Sequence, residues 1–225
     1  MKTNTTKQSL TLGLVAALVL AAPVGAAQSA PPRTAAAVIS RIAARNPSLH
    51  SFETRVHVQI HMTSFPWLSP HLDGTAYYKS PDKYEIVFDH VPSYAHGIDR
   101  LFGDIGDAIG WQRDWNVNYI GLQTIGGHPM IALTMTKKVR SDQIKEALAY
   151  VDPATYEVVR MEWHYFNGGH VVMTQTYREQ GAYSVVASQH ADISVPYARG
   201  VADSGYDRYA TNVAVSDTVF TGGKK

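Results

Sequence analysis

The feature that most restricts what this chain can fold into is a period-two alternation of apolar and polar side chains, broken at intervals by turn residues. It is clearest in residues 71–91, HLDGTAYYKSPDKYEIVFDHV. Pro81 excludes a helix through the middle of this stretch, because proline offers no N–H and fixes φ. Ser80-Pro81-Asp82-Lys83 therefore reads as the turn of a hairpin, with Gly74 and the pair Tyr77 and Tyr78 in its first strand. After the turn, Tyr84, Ile86 and Phe88 point one way while Lys83, Glu85 and Asp89 point the other. A sheet with one apolar and one wet face follows, and with it antiparallel neighbours.

The same period governs residues 52–62, where Phe52, Val56, Val58, Ile60 and Met62 alternate with Glu53, Arg55, His57, Gln59 and His61. Further strands are expected over 119–124 and 130–137, separated by the turn Gly126-Gly127-His128-Pro129, and over 147–151 before Asp152-Pro153-Ala154-Thr155. A second hairpin joins 157–166 to 170–178 through Asn167-Gly168-Gly169, with Val159, Met161, Trp163 and Tyr165 sharing a face. A strand over 183–195, a glycine-containing loop over 197–208, and a last strand over 209–215 with Val219 and Phe220 complete the chain.

Helical periodicity is confined to three places. Residues 31–47 are alanine-rich, with Val38, Ile39, Ile42 and Ala43 on one stripe and Asn46-Pro47 as the stop. Between 91 and 115, Ile98, Leu101, Phe102, Ile105 and Ile109 recur at three- and four-residue steps among Gly103, Gly106 and Gly110. Interior glycines cost about 1 kcal/mol each relative to alanine, so this segment needs packing from elsewhere, as a lid would have. Residues 141–146 read as a polar helical turn or a loop, which Ser141 can cap. The sum is about ten antiparallel strands, a sheet large enough that it must curl or close.

Residues 1–27 stand apart. Lys2 and Lys7 precede an apolar run, Leu10 to Ala22, and Pro23-Val24-Gly25-Ala26-Ala27 offers small residues for cleavage, the pattern of a secretory signal peptide. Residues 28–225 show no internal linker and are expected to form one domain. Loss of Lys2 and Lys7, with no acid among residues 1–27, lowers the formal net charge from +1 to −1, which gives no basic surface for nucleic acid. With zero cysteines the exported chain has neither a disulfide framework nor a lipid-anchoring thiol. A soluble periplasmic protein is expected, and secretion is also compatible.

Chemistry is hard to find. His57 and His61 share a strand face but lie about 13 Å apart at 3.3 Å per residue, too far to share an ion. His90 and His96 have no third ligand at a useful spacing, and Asp104 with Asp107, or Glu85 with Glu162, are ordinary surface acids. There is no nucleophile elbow and no phosphate loop. No catalytic residue, metal ligand or cofactor is therefore expected. The informative residues are large ones: four tryptophans, thirteen tyrosines and six methionines. A single curved sheet does not fill its own concave face as a sandwich does, so a partly open apolar groove is expected. Its walls would be Val56, Val58, Ile60, Met62, Tyr84, Ile86, Phe88, Met161 and Trp163, with Ile98, Leu101, Phe102, Ile105 and Ile109 as the lid. Methionines 62, 161 and 173 would let the groove adapt to flexible chains.

The order of these pieces resembles the periplasmic outer-membrane lipoprotein carrier and lipoprotein-sorting proteins, the LolA-like and LolB-like group. The residues that carry the resemblance are the strand after the first helix (49–62), Gly74-Thr-Ala-Tyr-Tyr-Lys-Ser-Pro-Asp-Lys-Tyr, Ile125-Gly126-Gly127, Val151-Asp152-Pro153 and Tyr209-Ala-Thr-Asn-Val. The resemblance implies a mainly β fold: an unclosed, strongly curved antiparallel β-barrel with helices in its mouth, a hydrophobic cavity, no catalysis, and acyl chains of a lipid or lipoprotein as ligand. It also implies membrane-anchored donor or acceptor proteins as partners, with the carrier itself a monomer. Carriers of the well-known type place an arginine before the proline of the signature turn; here that residue is Ser80, which leaves energy-coupled handover open. A non-enzymatic sensor of envelope stress on the same scaffold is the alternative reading.

Overall fold

A computed structural model describes residues 32–67, 69–91, 108–139, 143–196 and 198–221. The signal-peptide expectation over 1–27 lies outside the described residues, as do Ile98, Leu101, Phe102 and Ile105.

Helix α1 (Ala35–Ala43) begins at Thr34, whose Oγ1 accepts from the Ala37 N–H at 3.2 Å, and buries Val38 and Ile39. Among the described residues ten strands follow: β1 (Ser51–Met62), β2 (His71–Lys79), β3 (Lys83–Phe88), then helix α2 (Ala108–Asp114), β4 (Trp115–Ile125), β5 (His128–Lys137), β6 (Ile144–Val151), β7 (Val158–Tyr165), β8 (His170–Gln180), β9 (Tyr183–Val195) and β10 (Ala198–Thr211). A 3₁₀ turn (Asp217–Thr221) comes last. All ten strands lie in one antiparallel sheet, ordered β3-β2-β1-β10-β9-β8-β7-β6-β5-β4. Every pair of chain neighbours is hydrogen-bonded except β3 and β4, and β1 pairs with β10. The sheet is thus an up-and-down barrel left unclosed at one seam.

The alternation read from the sequence is the one the sheet uses. Val56, Val58 and Ile60 of β1, Leu72 and Ala76 of β2, and Met161 and Trp163 of β7 all face a single core that also takes in Val38 of α1 and Trp111 of α2. The two helices touch each other and both touch β4. At one end of the seam Arg113 of α2 donates to Asp82, in the β2–β3 turn, at 2.5 Å. At the outer edge, Lys79 and Lys83 hold Asp217 of the 3₁₀ turn at 2.9 and 2.8 Å, and these two ammonium groups pull the Asp217 carboxyl down to about 2. Among the described residues no helix is long and apolar enough to cross a membrane.

Two expectations are corrected. Residues 198–208, expected as a loop, belong to β10, a strand of 14 residues. Its Gly200 is there for close approach: a Cβ on it would sit 2.6 Å from the His61 carbonyl oxygen, and one on Gly74 of β2 would sit 2.6 Å from that of Val87. Ile144–Glu146, expected in a helical turn or loop, open β6 instead. Pairing with Tyr165 and His164 of β7 overrides their local preference for a turn.

A direct consequence concerns these glycines. Gly74→Ala and Gly200→Ala should each lower stability in urea unfolding by about 1–3 kcal/mol, because the obstacle is a backbone oxygen that cannot rotate away. Gly205→Ala, with nothing within 4 Å of its added Cβ, should change stability little.

Candidate functional site

Beneath the C-terminal end of α1 the concave face holds a cavity of about 170 Å³. Ile42, Ala43 and Arg45 roof it, Leu49, Phe52, Tyr78 and Tyr84 form one wall, and Val158, Val185 and Val186 another. Phe52 stacks on Tyr78 at 5.3 Å and meets Tyr209 edge-on at 5.2 Å, so this wall is a rigid aromatic cluster.

The remaining wall is polar, though it stands at inward positions. Gln175, Gln189 and Ser204 are cross-strand neighbours on β8, β9 and β10, and all three are buried. They satisfy one another in sequence. The Tyr84 and Tyr206 phenols lie near each other, and the Tyr206 hydroxyl donates to Gln189 Oε1 at 2.6 Å. Gln189 Nε2 donates to Gln175 Oε1 at 2.9 Å, and Gln175 Nε2 donates to the Val158 carbonyl at 2.5 Å and to the Tyr177 hydroxyl at 2.6 Å. A continuous ladder of uncharged groups therefore crosses the interior from β10 to β7.

Burial holds these phenols in their neutral form. The hydroxyls of Tyr177 and Tyr206 are each pushed up to about 12, and those of Tyr84 and Tyr209 are also raised by loss of solvent. Arg45 is the charged residue of the lining. It donates to Glu157 Oε1 at 2.9 Å and to Ser184 Oγ at 3.0 Å, and it lies 4.5 Å over the Tyr177 ring. Asn46 pairs with both the carbonyl and the N–H of Ser184, at 2.8 and 3.1 Å. The end of α1 is thus pinned to the sheet by polar contacts. The cavity they close presents apolar walls, uncharged hydrogen-bonding groups and the Arg45 guanidinium already paired with Glu157, which suits a neutral or amphiphilic guest.

Of the groove residues expected from sequence, Tyr84 lines this cavity. Val56, Val58, Ile60, Ile86, Met161 and Trp163 are buried in the core, and Met62 and Phe88 pack against it. Among the lid residues Ile109 lies on α2. Gln175, Gln189, Tyr177, Tyr206, Tyr209 and Arg45 went unread, although a signal existed. In Val171, Met173, Gln175 and Tyr177 of β8, glutamine occupies an apolar parity, and Gln189 and Ser204 do so on the neighbouring strands.

An unclosed ten-stranded antiparallel half-barrel with helices at its mouth is the LolA-like fold. The solved structures similar to this chain include a LolA superfamily protein from Nitrosomonas europaea, at 13% identity and a TM-score of 0.63 over 83% of this chain and 97% of that one. They include an outer membrane lipoprotein-sorting protein domain from Vibrio parahaemolyticus, at 9% identity and 0.62 over 82% and 94%. A DUF1329 family protein from Desulfovibrio piger matches at 11% identity and 0.63 over 83% and 96%. No family model and no curated protein matches the chain by sequence. At these identities the likeness lies in the fold, and it covers most of the chain.

The polar ladder makes two measurable demands. Gln189→Leu strands the Tyr206 hydroxyl and Gln175 Oε1 without partners and should cost about 1–3 kcal/mol in denaturant unfolding, with the further change Gln175→Leu costing less than in the wild type. The raised phenols do not affect stability below about pH 10, where folded and unfolded chains both keep their protons. Above it the unfolded chain alone gives them up, so stability should fall as pH rises towards 12, and phenolate absorbance should show these tyrosines ionising only with unfolding.

Proposed function

We propose that the mature chain is a non-enzymatic periplasmic carrier, exported by residues 1–27, which shelters an acyl chain of a lipoprotein or other lipid inside residues 28–225. The observation that carries this reading is the neutral cavity beneath α1, whose walls Val158 and Val185 belong to the buried core of a sheet unclosed between β3 and β4. The fold shared with a lipoprotein-sorting domain supports it.

Size defines how the cavity would be used. A void of about 150 Å³ accommodates a molecule the size of benzene, so the present cavity holds only the end of a chain. Admitting more requires α1 to lift from the sheet and the interior to repack, and Met135, Met161 and Met173, all buried, are the side chains best able to reshape around a guest. Each methylene taken from water returns about 0.8 kcal/mol, so a long chain offsets the opening where a short one does not. The Tyr206–Gln189–Gln175 ladder would then meet the ester or amide that joins chain to headgroup. The expected groove residues Val56, Val58, Ile60, Met62, Ile86, Phe88 and Trp163 would line the opened interior.

Ala43 is exposed and roofs the cavity, so Ala43→Trp can plug the mouth without disturbing the core. With a fluorescent fatty acid as probe, the wild type should bind one equivalent and Ala43→Trp should bind at least about tenfold more weakly, a loss of about 1.4 kcal/mol, with unchanged thermal unfolding. A wild type that refuses the probe and leaves the periplasm without lipid, as read by native mass spectrometry, would overturn the proposal.

A further inference from the structure

The convex face of the sheet carries a second cluster that the carrier reading does not use. In the β1–β2 ladder His57 stands directly opposite Asp73, and Gln59 stands opposite His71. Val56, Val58 and Leu72 between them are buried, so these four side chains point outward, away from the cavity. Histidine–histidine spacing along a strand does not reveal such a group, since His57 and His71 meet only through the register of two strands.

Their nitrogens are arranged in a particular way. His57 Nδ1 contacts Asp73 Oδ1, and His71 Nε2 lies 3.3 Å from the same oxygen. The rings are close to parallel, with centroids 6.5 Å apart and an interplanar angle of 21°. Each ring's other nitrogen faces a different acceptor: His71 Nδ1 is 3.1 Å from Gln59 Oε1, and His57 Nε2 is 3.7 Å from Asp207 Oδ1 on β10. That Asp207 oxygen is buried and has no hydrogen-bond partner. The close contact with the Asp73 carboxylate, which can only accept, puts a proton on His57 Nδ1; the far-side acceptors can take the ring protons instead, which frees the lone pairs of His57 Nδ1 and His71 Nε2 for an ion lying between the rings and Asp73. Imidazole nitrogens backed by a carboxylate or an amide oxygen are the arrangement found behind metal-ligating histidines.

We propose that His57, His71 and Asp73 bind a divalent transition-metal ion of the Zn²⁺ class, with Gln59 and Asp207 as positioning residues behind the two imidazoles. One ligand atom from each of the three residues already lies within 4.8 Å of the others. A tetrahedral ion with bonds of about 2.0–2.1 Å needs them about 3.3 Å apart. The side chains are 44, 54 and 41% exposed, so they can rotate to close that gap while the ladder keeps the backbone fixed. Asp73 exchanges its contact with His57 for the ion, and the position facing solvent is left for water. Charge agrees: Asp73, Asp207 and Asp89 supply three negative charges against the two positive charges of Arg55, which holds Asp89 at 2.8 Å, and Arg208, whose Nε lies 3.7 Å from Asp207 Oδ2. Two imidazoles with one carboxylate suit Zn²⁺, Co²⁺ or Cu²⁺ rather than Mg²⁺ or Ca²⁺. A neighbouring cluster shows what is missing elsewhere. His190 has Asp203 at 2.6 Å on Nδ1 and Asp192 at 3.6 Å on Nε2, so its two carboxylates flank one ring and nothing converges.

The test uses the mature chain without a histidine tag, titrated with Zn²⁺ by calorimetry and with Co²⁺ by visible absorption. One ion should bind per chain with micromolar or tighter affinity. His71→Ala and Asp73→Asn should each weaken binding by at least tenfold, Asp207→Ala by about tenfold through loss of the acceptor behind His57, and His190→Gln not at all. Long-range imidazole NMR of the wild type, which needs no variant, should place Zn²⁺ on His57 Nδ1 and His71 Nε2. Absence of stoichiometric binding, binding that survives His57→Gln combined with His71→Ala, or Zn²⁺ shifts on other histidines would each overturn the proposal.

Discussion

The ladder between β1 and β10 is the constraint on which the rest depends. It joins the first strand of the fold to the last, in a register from Phe52 opposite Thr211 to Met62 opposite Gly200. Loop-closure entropy grows slowly with the length of chain enclosed, so even this long closure is offset by a strand-length ladder with buried apolar residues on one face. Once it forms, the β2–β3 hairpin lies on one side of β1 and the β4–β9 meander runs away on the other. The curl that would bring β3 to β4 stops short. A seam is left where consecutive strands do not pair, and the concave face is covered by α1 and α2 instead of by a second sheet.

Covering a sheet with helices leaves two kinds of interior. Around Val38, Trp111, Met135 and Trp163 the packing is apolar and complete. Under the end of α1 it is not, and there the sheet sets a row of glutamines and tyrosines that bond to one another. Such a network is favourable only when each member is satisfied, and here the row ends on the Val158 carbonyl at one side and on the Tyr206 hydroxyl at the other. The same strands carry a different chemistry on their outer face. Because side chains alternate, β1 presents Val56 and Val58 to the core while His57 and Gln59 stand in water beside Asp73 and His71. A guest in the interior and an ion on the convex face are therefore separable by one residue of register.

Much of the fold was legible because period-two alternation is a local property. The hairpins around Pro81, Gly126-Gly127 and Asn167-Gly168, the strand at 52–62 and the stripe of Val38 and Ile39 all rest on neighbours within a few residues. What failed was local evidence pointing the wrong way. The glycines of β10 read as a loop, yet Gly200 is a strand residue chosen because β1 passes too close for a side chain. The polar wall went unread for a related reason: glutamine at an inward position marks a loop or an edge in isolation, and becomes a cavity wall only beside Gln189 and Tyr206.

The chain's sequence by itself determined the alternation, the turns and the helix stripe, since steric and hydrophobic preferences act over a single strand or turn. Tertiary structure alone decided which strands became neighbours. Cross-strand register placed Gln175 beside Gln189, and His57 across from Asp73 with His71 on the diagonal, while the curl of the sheet brought Tyr84 near Tyr206. Sequence spacing carries no record of those pairings, because they are set by the single closure of β1 onto β10 and by the burial that fixes each strand's face.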